Sequence, residues 1–167
     1  MTHNLARRGL AGAVLSLLIA WSGASAVLAQ SGLPVPRFAS LKSDEVNLRA
    51  GPGKSYPVEW VLLRRAWPVE VIAEYEQWRR VRDIDGTLGW VHQTMLSGER
   101  TAVVQDGIQT LFAAPDAGAA PVLRVEAGVI GALLACAPDW CRLEVQGVRG
   151  WIERVHLFGV LPGETFD

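Results

Sequence analysis

The sequence is poor in the residues from which catalytic and metal sites are most often built. Its 167 residues include two cysteines and three histidines, and beyond residue 30 the histidines are His92 and His156. No group of histidine, cysteine and acidic residues has the spacing of a metal site. The formal net charge of −1 gives no general attraction to nucleic acid or anionic lipid. We therefore expect a protein with no cofactor, no metal, no nucleic-acid partner and no enzymatic activity of its own.

The one long apolar run lies at the amino terminus. Arg7 and Arg8 precede an apolar stretch over residues 10–21, and small residues lead to Ala29. This order is typical of a secretory signal peptide, so we predict one over residues 1–29, cleaved near Ala29, and a secreted, periplasmic protein. The run of about a dozen residues is shorter than the roughly 20 that cross a bilayer, so we expect no stable membrane insertion after cleavage. An uncleaved anchor is the alternative.

The two cysteines lie close together, since Cys136 and Cys141 enclose four residues. The oxidising compartment expected for an exported protein favours a disulfide between them. Such a spacing can place two strand-end residues of a hairpin opposite each other. A ring of this size would stabilise the fold by only roughly 2 kcal/mol. Two free thiols, or a metal or redox role, are the alternatives.

The remainder of the chain shows short strand patterns between glycine- and proline-rich turns, and no amphipathic helix of useful length. We therefore predict an all-β fold of small barrels or sandwiches. Residues 30–37 read as an extended or mobile lead, and residues 38–41 as an edge strand. Residues 58–63 are almost entirely apolar and predict a well-buried strand, whereas residues 92–95 predict a single helical turn.

The second half repeats landmarks of the first. Pro52, the segment 78–81 and the segment 89–91 correspond to Pro115, 140–143 and 150–152, at separations of 63, 62 and 61 positions. Three landmarks in the same order predict a duplicated unit. We place the first domain at residues 38–99, the second at 100–160 and a tail at 161–167. In this alignment Cys136 and Cys141 occupy the places of Glu74 and Arg79, which we predict to form an exposed cross-strand ion pair that contributes well under 1 kcal/mol.

Three motifs of the first unit carry a resemblance to a known family. They are Asn47-Leu48-Arg49-Ala50-Gly51-Pro52, Tyr56-Pro57-Val58 and Gly89-Trp90-Val91. With them, residues 44–96 resemble a bacterial SH3-like (SH3b) domain, and the whole chain is similar to exported proteobacterial proteins with two such units. The resemblance implies two small tandem barrels, an extracytoplasmic location and binding to peptidoglycan peptides or protein partners. The second copy departs from the first motif.

Aromatic and arginine side chains of the first unit are the candidate ligand-binding residues. Trp78 and Arg80 share one face of a predicted strand, and a tryptophan beside a guanidinium group suits a peptide carboxylate. Tyr56 and Trp60 supply further aromatic surface. The alternative is that these side chains fill a core or form a solvated strand face. We expect Trp78 to be partly exposed.

The motif residues receive structural roles. They are Asn47, Arg49, Gly51, Pro52, Gly89, Trp90, Gly150 and Trp151, and we expect both of these tryptophans to lie in the core. Trp60 and Trp67, which have no aromatic counterpart in the second copy, are expected at an exposed or inter-domain surface.

These observations predict a non-enzymatic extracytoplasmic protein whose first unit binds a cell-envelope ligand, either a peptidoglycan peptide or a protein. The alternative is a structural or assembly protein that docks an envelope protein through its second unit. Retention on purified peptidoglycan would favour the first hypothesis, and crosslinking to one discrete protein would favour the second. An enzymatic role would return if Cys136 or Cys141 proved reactive without prior reduction.

Overall fold

The computed structural model describes residues 31–167, which form two all-β units. Each unit contains one seven-stranded sheet whose paired strands run antiparallel. The predicted signal peptide, residues 1–29, lies outside the described residues. No helix within residues 31–167 has the length and apolar character needed to cross a membrane.

The strands of the first sheet are Arg37–Leu41 (β1), Val46–Arg49 (β2), Val58–Leu62 (β3), Pro68–Tyr75 (β4), Trp78–Arg82 (β5), Leu88–His92 (β6) and Leu96–Ser97 (β7). Those of the second sheet are Thr101–Val104 (β8), Ile108–Phe112 (β9), Pro121–Glu126 (β10), Ile130–Cys136 (β11), Trp140–Val145 (β12), Val148–Glu153 (β13) and Leu157–Phe158 (β14). A single 3-10 turn precedes the last strand of each sheet, at Gln93–Met95 and Arg154–His156. The first of these turns confirms the helical turn predicted near residue 93.

The duplication predicted from the sequence is confirmed by the strand order. The first sheet runs β3-β2-β6-β5-β4-β1-β7, and the second runs β10-β9-β13-β12-β11-β8-β14, which is the same order in the second copy. Within residues 31–167 the two sheets share no strand. The first strand, expected at an edge, instead lies between β4 and β7 because both strands pair with it.

Each unit has its own hydrophobic core. In the first unit, side chains that alternate along β2, β4, β5 and β6 face inward and are completely buried: Val46, Leu48, Val69, Val71, Val81 and Val91. In the second unit Leu111, Leu143 and Ile152 are equivalent members of the core. Two separate cores explain how each unit can close as a small domain of its own.

The strand β3 contradicts the prediction that residues 58–63 are well buried. β3 is the last strand of its sheet, and all its residues except Leu62 are exposed. An apolar sequence alone does not distinguish a strand enclosed on both faces from one at a sheet edge. The position in the sheet order decides between them.

A β-bulge in β4 turns Glu74 toward the interior. Val71 pairs with Val81 and Ala73 pairs with Arg80, so Ile72 is an extra residue that reverses the alternation. The Glu74 side chain is completely inaccessible to solvent, and its Oε1 lies 3.1 Å from Nε of Arg79. The predicted pairing of Glu74 with Arg79 is confirmed, but its predicted exposure is wrong because of the bulge.

The lead segment and Arg37 complete the surroundings of Glu74. The backbone N–H and the hydroxyl of Ser31 each donate to the carboxylate at 2.8 Å, and Arg37 contacts it at 2.5 Å. Burial alone would raise the pKa of Glu74, but the hydrogen bonds from Ser31 and Arg37 and the Arg37 charge outweigh it and hold the pKa below its ordinary value of 4.5. The lead, predicted to be mobile, is thus fastened to the first unit at Ser31.

The last residues, predicted to form a separate tail at 161–167, pack on the second unit. Phe166 and Cys136 exchange two backbone hydrogen bonds, and Glu164 forms an ion pair with Arg100 at 2.5 Å. Burial would raise the pKa of Glu164, but hydrogen bonds from the Arg100 side chain and the Leu161 backbone, with the charge of Arg100, lower it. The second unit therefore includes this segment.

The two units meet directly. The hydroxyl groups of Ser40 and Thr101 are 2.6 Å apart and buried, and Thr101 donates to the carbonyl of Ala66 at 2.7 Å. The rings of Phe38 and Phe158 pack edge to face with centroids 5.1 Å apart. These contacts join β1 and the β3–β4 connection of the first unit to the first and last strands of the second.

Candidate functional site

The outer face of β2, β6 and β5 carries the polar and aromatic side chains of the first unit. Gly89 is buried, and a Cβ atom at that position would lie 2.4 Å from Cγ of Leu48. Val91 is also completely buried, so the alternation along β6 turns Trp90 to the outer face. The expectation that Trp90 lies in the core is therefore wrong, and its side chain is half-buried on the outer surface.

Three residues line up across this face. Arg49 of β2 and Arg80 of β5 both pair with Trp90 of β6, one on each side. Directly opposed residues of antiparallel strands point to the same face with Cβ atoms about 5 Å apart. We call these three residues the Arg–Trp–Arg row. Arg80 is exposed, and its guanidinium group has no hydrogen-bond or ion-pair partner within residues 31–167.

A second row lies beside the first. Trp78 pairs with His92, and the two rings pack edge to face with centroids 5.3 Å apart. Trp78 is only 9% exposed, so the predicted partial exposure is wrong for most of its ring. Both nitrogens of His92 are engaged, with Thr94 Oγ1 at 2.8 Å and Gln77 Oε1 at 3.0 Å.

A shallow groove of about 230 Å³ opens over this second row. Its lining combines two cationic side chains, one carboxylate, one amide and apolar surface, from Glu45, Asn47, Arg49, Lys54, Trp78, His92 and Met95. Arg49 is the residue of the Arg–Trp–Arg row that lines this groove, and Trp78 and His92 supply its aromatic surface.

The loop after β2 is held by the same Arg49. The guanidinium group donates to the carbonyl of Tyr56 at 2.8 Å and to that of Lys54 at 3.2 Å. The Tyr56 ring lies against Gly51, where a Cβ atom would approach the ring to 2.4 Å. Gly51 is therefore required by this close approach. Tyr56 is 46% exposed and does not line the groove.

Trp60 and Trp67 lie away from the groove. Trp60 pairs with Leu48, whose side chain points inward, so Trp60 belongs to the opposite face of the sheet from the Arg–Trp–Arg row. It is 59% exposed. The Trp67 indole donates to Asp83 at 2.6 Å and lines a cleft with residues of the second unit such as Val104 and Ala127. The expected exposed and inter-domain positions of these two tryptophans are confirmed.

Comparison with known proteins identifies the family. A model of the bacterial SH3 domain matches residues 42–98 and 105–159, which coincide with the two units. The chain belongs to the bacterial SH3 domain family. No curated protein matches the sequence.

Solved structures similar to this chain include three NlpC or NlpC/P60 proteins. NlpC2 of Trichomonas vaginalis is 16% identical with a TM-score of 0.34, over 74% of this chain and 48% of that one. NlpC1 of the same organism is 18% identical with a TM-score of 0.35, over 77% and 48%. An NlpC/P60 family protein of Bacillus cereus is 14% identical with a TM-score of 0.33, over 72% and 55%. The chain spans about half the length of these proteins.

The second SH3 unit has a different outer face. Phe112 stands where the first unit has Arg49, and it pairs with Trp151, which is half-buried on the outer surface and not in the core as expected. The Phe112 ring packs edge to face on Trp140 with centroids 5.9 Å apart. Arg142 pairs with Trp151 from the other side, so this unit retains one arginine of the row and replaces the other with an aromatic ring.

The predicted disulfide is confirmed in the second SH3 unit. Cys136 and Cys141 are directly opposed in the β11–β12 hairpin and are joined by an S–S bond of 2.06 Å. β11 contains the same bulge as β4, with Leu134 as its extra residue. The disulfide and the Glu74–Arg79 pair thus occupy the same inward position in the two SH3 units.

Arg49 and Trp90, predicted to have structural roles, lie on the outer face of the first unit, and Arg49 also lines the groove. A signal for both was present. Val46 and Leu48 alternate with Asn47 and Arg49, so burying the first pair exposes the second. Gly89 and Val91 flank Trp90 in the same way, and a small residue and an aliphatic one on the inner face place the indole outside.

Proposed function

We propose that this protein is a non-enzymatic, extracytoplasmic binding protein whose first unit holds a carboxylate-bearing peptide of the cell envelope on the Arg–Trp–Arg row. The observation that carries the proposal is the row as a whole: Arg49 and the exposed Arg80 flank the half-buried indole of Trp90 on both sides. The second unit has an arginine on only one side of Trp151. An arginine that has no internal partner is available to a ligand, and its planar fork matches a carboxylate in two parallel hydrogen bonds.

The chemistry of the groove supports a peptide ligand. Arg49 and Lys54 add positive charge at its opening, while Glu45 adds one carboxylate that can receive a peptide amine. Asn47 is exposed beside them and offers both a donor and an acceptor to a peptide group. A short peptide with free carboxylate and amine groups, as in the stem peptides of peptidoglycan, satisfies both signs of charge.

The aromatic surface supplies apolar contact for the same ligand. Trp90 is half-buried and Tyr56 is 46% exposed, so both can cover aliphatic parts of a peptide while their edges stay hydrated. Trp78 lies under the groove and contributes one edge. We assign no role in this site to Trp60, because it lies on the other face of the sheet.

The family and the disulfide support an envelope location. The bacterial SH3 domain family suggests cell-wall or envelope binding, and a structural disulfide such as Cys136–Cys141 is typical of proteins outside the reducing cytoplasm. We therefore place the binding activity in the periplasm. The second unit, in which Phe112 fills the position of Arg49, has no such row and is assigned a supporting role.

The proposal is tested by co-sedimentation of the full exported protein with purified peptidoglycan, followed by titration with a soluble stem peptide and its amidated form. Tryptophan fluorescence reports the titration. The variant R80Q removes the charge-assisted hydrogen bonds, which should weaken binding by about 10- to 100-fold. The amidated peptide should lose affinity to a similar extent.

The matched control is R142Q, because Arg142 pairs with the tryptophan of the second unit and is also exposed. It should leave binding unchanged. Wild-type protein that stays in solution, or equal losses from R80Q and R142Q, would contradict the proposal.

A further inference from the structure

The second unit carries a groove of about 490 Å³, about twice the volume of the groove over Trp78 in the first unit. Apolar side chains form much of its wall, among them Pro138, Trp140, Val155 and Pro162. Val155 is 71% exposed, and both prolines are exposed as well. A continuous apolar surface of this kind is available to the aliphatic part of a ligand.

Two carboxylates border the tryptophan of this groove. Trp140 and Glu153 are directly opposed in β12 and β13, so they point to the same face with Cβ atoms about 5 Å apart. Asp139 directly precedes Trp140, and its carbonyl accepts a hydrogen bond from the backbone N–H of Arg154 at 2.8 Å. Asp139 therefore lies beside the residue that follows Glu153, and both acidic residues line the groove.

Neither carboxylate is used to hold the fold together. Both residues are exposed, and the Asp139 side chain has no hydrogen-bond or ion-pair partner in the part of the chain that the structure describes. Glu153 immediately precedes the 3-10 turn Arg154–His156, but its side chain forms no capping hydrogen bond. Its carboxylate lies 3.7 Å from Nε2 of His156 and is 47% exposed. Both carboxylates are therefore available to a ligand.

The guanidinium group that lines the groove is engaged elsewhere. Arg154 donates to the carbonyl of Leu161 at 2.7 Å, to that of Ala137 at 2.5 Å and to that of Glu164. These three bonds hold the guanidinium group against the last residues of the chain. The charged groups that remain open at the groove are the carboxylates, so the groove complements a cation.

The first unit has no carboxylate at either equivalent position. Gln77 takes the place of Asp139, since its carbonyl accepts from the backbone N–H of Gln93 at the same 2.8 Å. His92 takes the place of Glu153, opposite Trp78. Nε2 of His92 and Oε1 of Gln77 are 3.0 Å apart, and His92 also caps its 3-10 turn. The first unit thus satisfies these two side chains internally, whereas the second presents two open acids.

We propose that this groove binds a lysine side chain of a peptide segment, at a site separate from the carboxylate site of the first unit. The ammonium group lies between Asp139 and Glu153 and against the Trp140 ring, because carboxylates and an indole both attract a cation. The methylene groups of the lysine cover Val155 and the prolines. The groove is larger than one lysine side chain, so it also accommodates the peptide backbone on either side.

The test is an NMR titration of the full exported protein with the peptide acetyl-Ala-Lys-Ala-amide. The indole N–H resonance of Trp140, assigned by its loss in W140F, reports binding. Exposed ion pairs are individually weak, so we expect a dissociation constant on the order of 1 mM. The norleucine analogue keeps the aliphatic chain without the charge and should bind at least about tenfold more weakly.

The double variant D139N/E153Q removes both carboxylates of the groove. It should weaken binding of the lysine peptide by about 3- to 20-fold. Both positions are exposed, so the melting temperature should equal that of wild type and exclude a folding defect.

The matched control is E126Q/E144Q, which removes two carboxylates of the second unit that do not line the groove. It should leave the affinity within about 1.5-fold of wild type, since exposed charges at a distance are screened by salt.

Three results would overturn the proposal: a Trp140 resonance that does not move at about 10 mM peptide, a norleucine analogue that binds equally well, or equal losses from the two double variants. Two further results would reassign the groove and overturn its assignment to a peptide. Butylammonium that binds as tightly as the peptide would assign it to a free amine. The same shifts on concentrating the protein alone would assign it to a second copy of the chain.

Discussion

Replacing Glu74 with glutamine should destabilise the first unit severely. The Glu74 side chain is completely buried, and its carboxylate contacts Ser31, Arg37 and Arg79. Glutamine has nearly the same shape and can still accept one hydrogen bond, but it carries no charge and brings an N–H₂ group toward two guanidinium groups. The variant E74Q therefore separates the charge of the residue from its volume.

The magnitude follows from what the two arginines lose. Removing one member of a buried ion pair costs about 3–5 kcal/mol when the other charge is left uncompensated. Arg79 keeps three further acceptors, the carbonyls of Glu76 and Trp78 and the side chain of Gln93, and Arg37 is 19% exposed. We therefore expect a loss of about 2–4 kcal/mol, which lowers the melting temperature of a domain of this size by about 10–25 °C.

Differential scanning calorimetry of the full exported protein measures this loss. The matched control is E70Q, because Glu70 pairs with Arg82 at 3.3 Å on the same two strands but Arg82 is 49% exposed. The control should cost less than about 1 kcal/mol. If E74Q shifts the melting temperature no more than E70Q does, the buried pair contributes nothing specific and the reasoning is refuted.

The same structure makes three further predictions. Because the pKa of Glu74 is lowered on folding, the stability that its charge contributes is fully present above its ordinary pKa of 4.5 and is lost as the pH falls through the lower folded value. Between about pH 6 and pH 2 the melting temperature should therefore fall less for E74Q than for wild type. Gly89→Ala places a methyl group 2.4 Å from Leu48 and should cost about 1–3 kcal/mol in urea unfolding, whereas Gly98→Ala, with nothing within 4 Å, should be neutral. Replacing both Cys136 and Cys141 with serine opens a ring with a sequence separation of 5 and should destabilise the second unit by about 2 kcal/mol in calorimetry; an unchanged transition would contradict this entropic account.

The duplicated all-β fold and the disulfide could be predicted from the sequence because both depend on local signals. Pro52 and the Gly89-Trp90-Val91 segment recur at nearly constant spacing, and they mark equivalent turns and strands in the two sheets. The separation of Cys136 from Cys141 fits a hairpin neck. Such features need only the order of residues along the chain, which the sequence supplies directly.

The orientation of Glu74 could not be predicted because it depends on a bulge. Strict alternation from Val69 and Val71 places Glu74 on the outer face, and the extra residue Ile72 reverses this assignment. No composition signal marks Ile72 as the extra residue. The alignment of Glu74 with Cys136 was the available clue, since a structural disulfide is usually buried.

The exposure of β3 was missed for a different reason. A continuous apolar run predicts a strand covered on both faces, and residues 58–63 satisfy that pattern. The sheet order, which depends on pairings between distant strands, places β3 at an edge. The apolar side chains of Val58, Trp60 and Val61 are therefore exposed.

β5 shows why stability and recognition can be tested separately in this protein. Arg79 and Val81 point into the core, and Trp78 and Arg80 point to the outer face. In the second unit the Cys136–Cys141 disulfide takes the place of the inward Glu74–Arg79 ion pair. In the outer row Phe112 takes the place of Arg49. Between β5 and its counterpart β12 the inward residues have changed, whereas the outward Trp78 and Arg80 recur as Trp140 and Arg142. It follows that E74Q should lower stability with the outer row intact, and R80Q should weaken binding with the melting temperature unchanged.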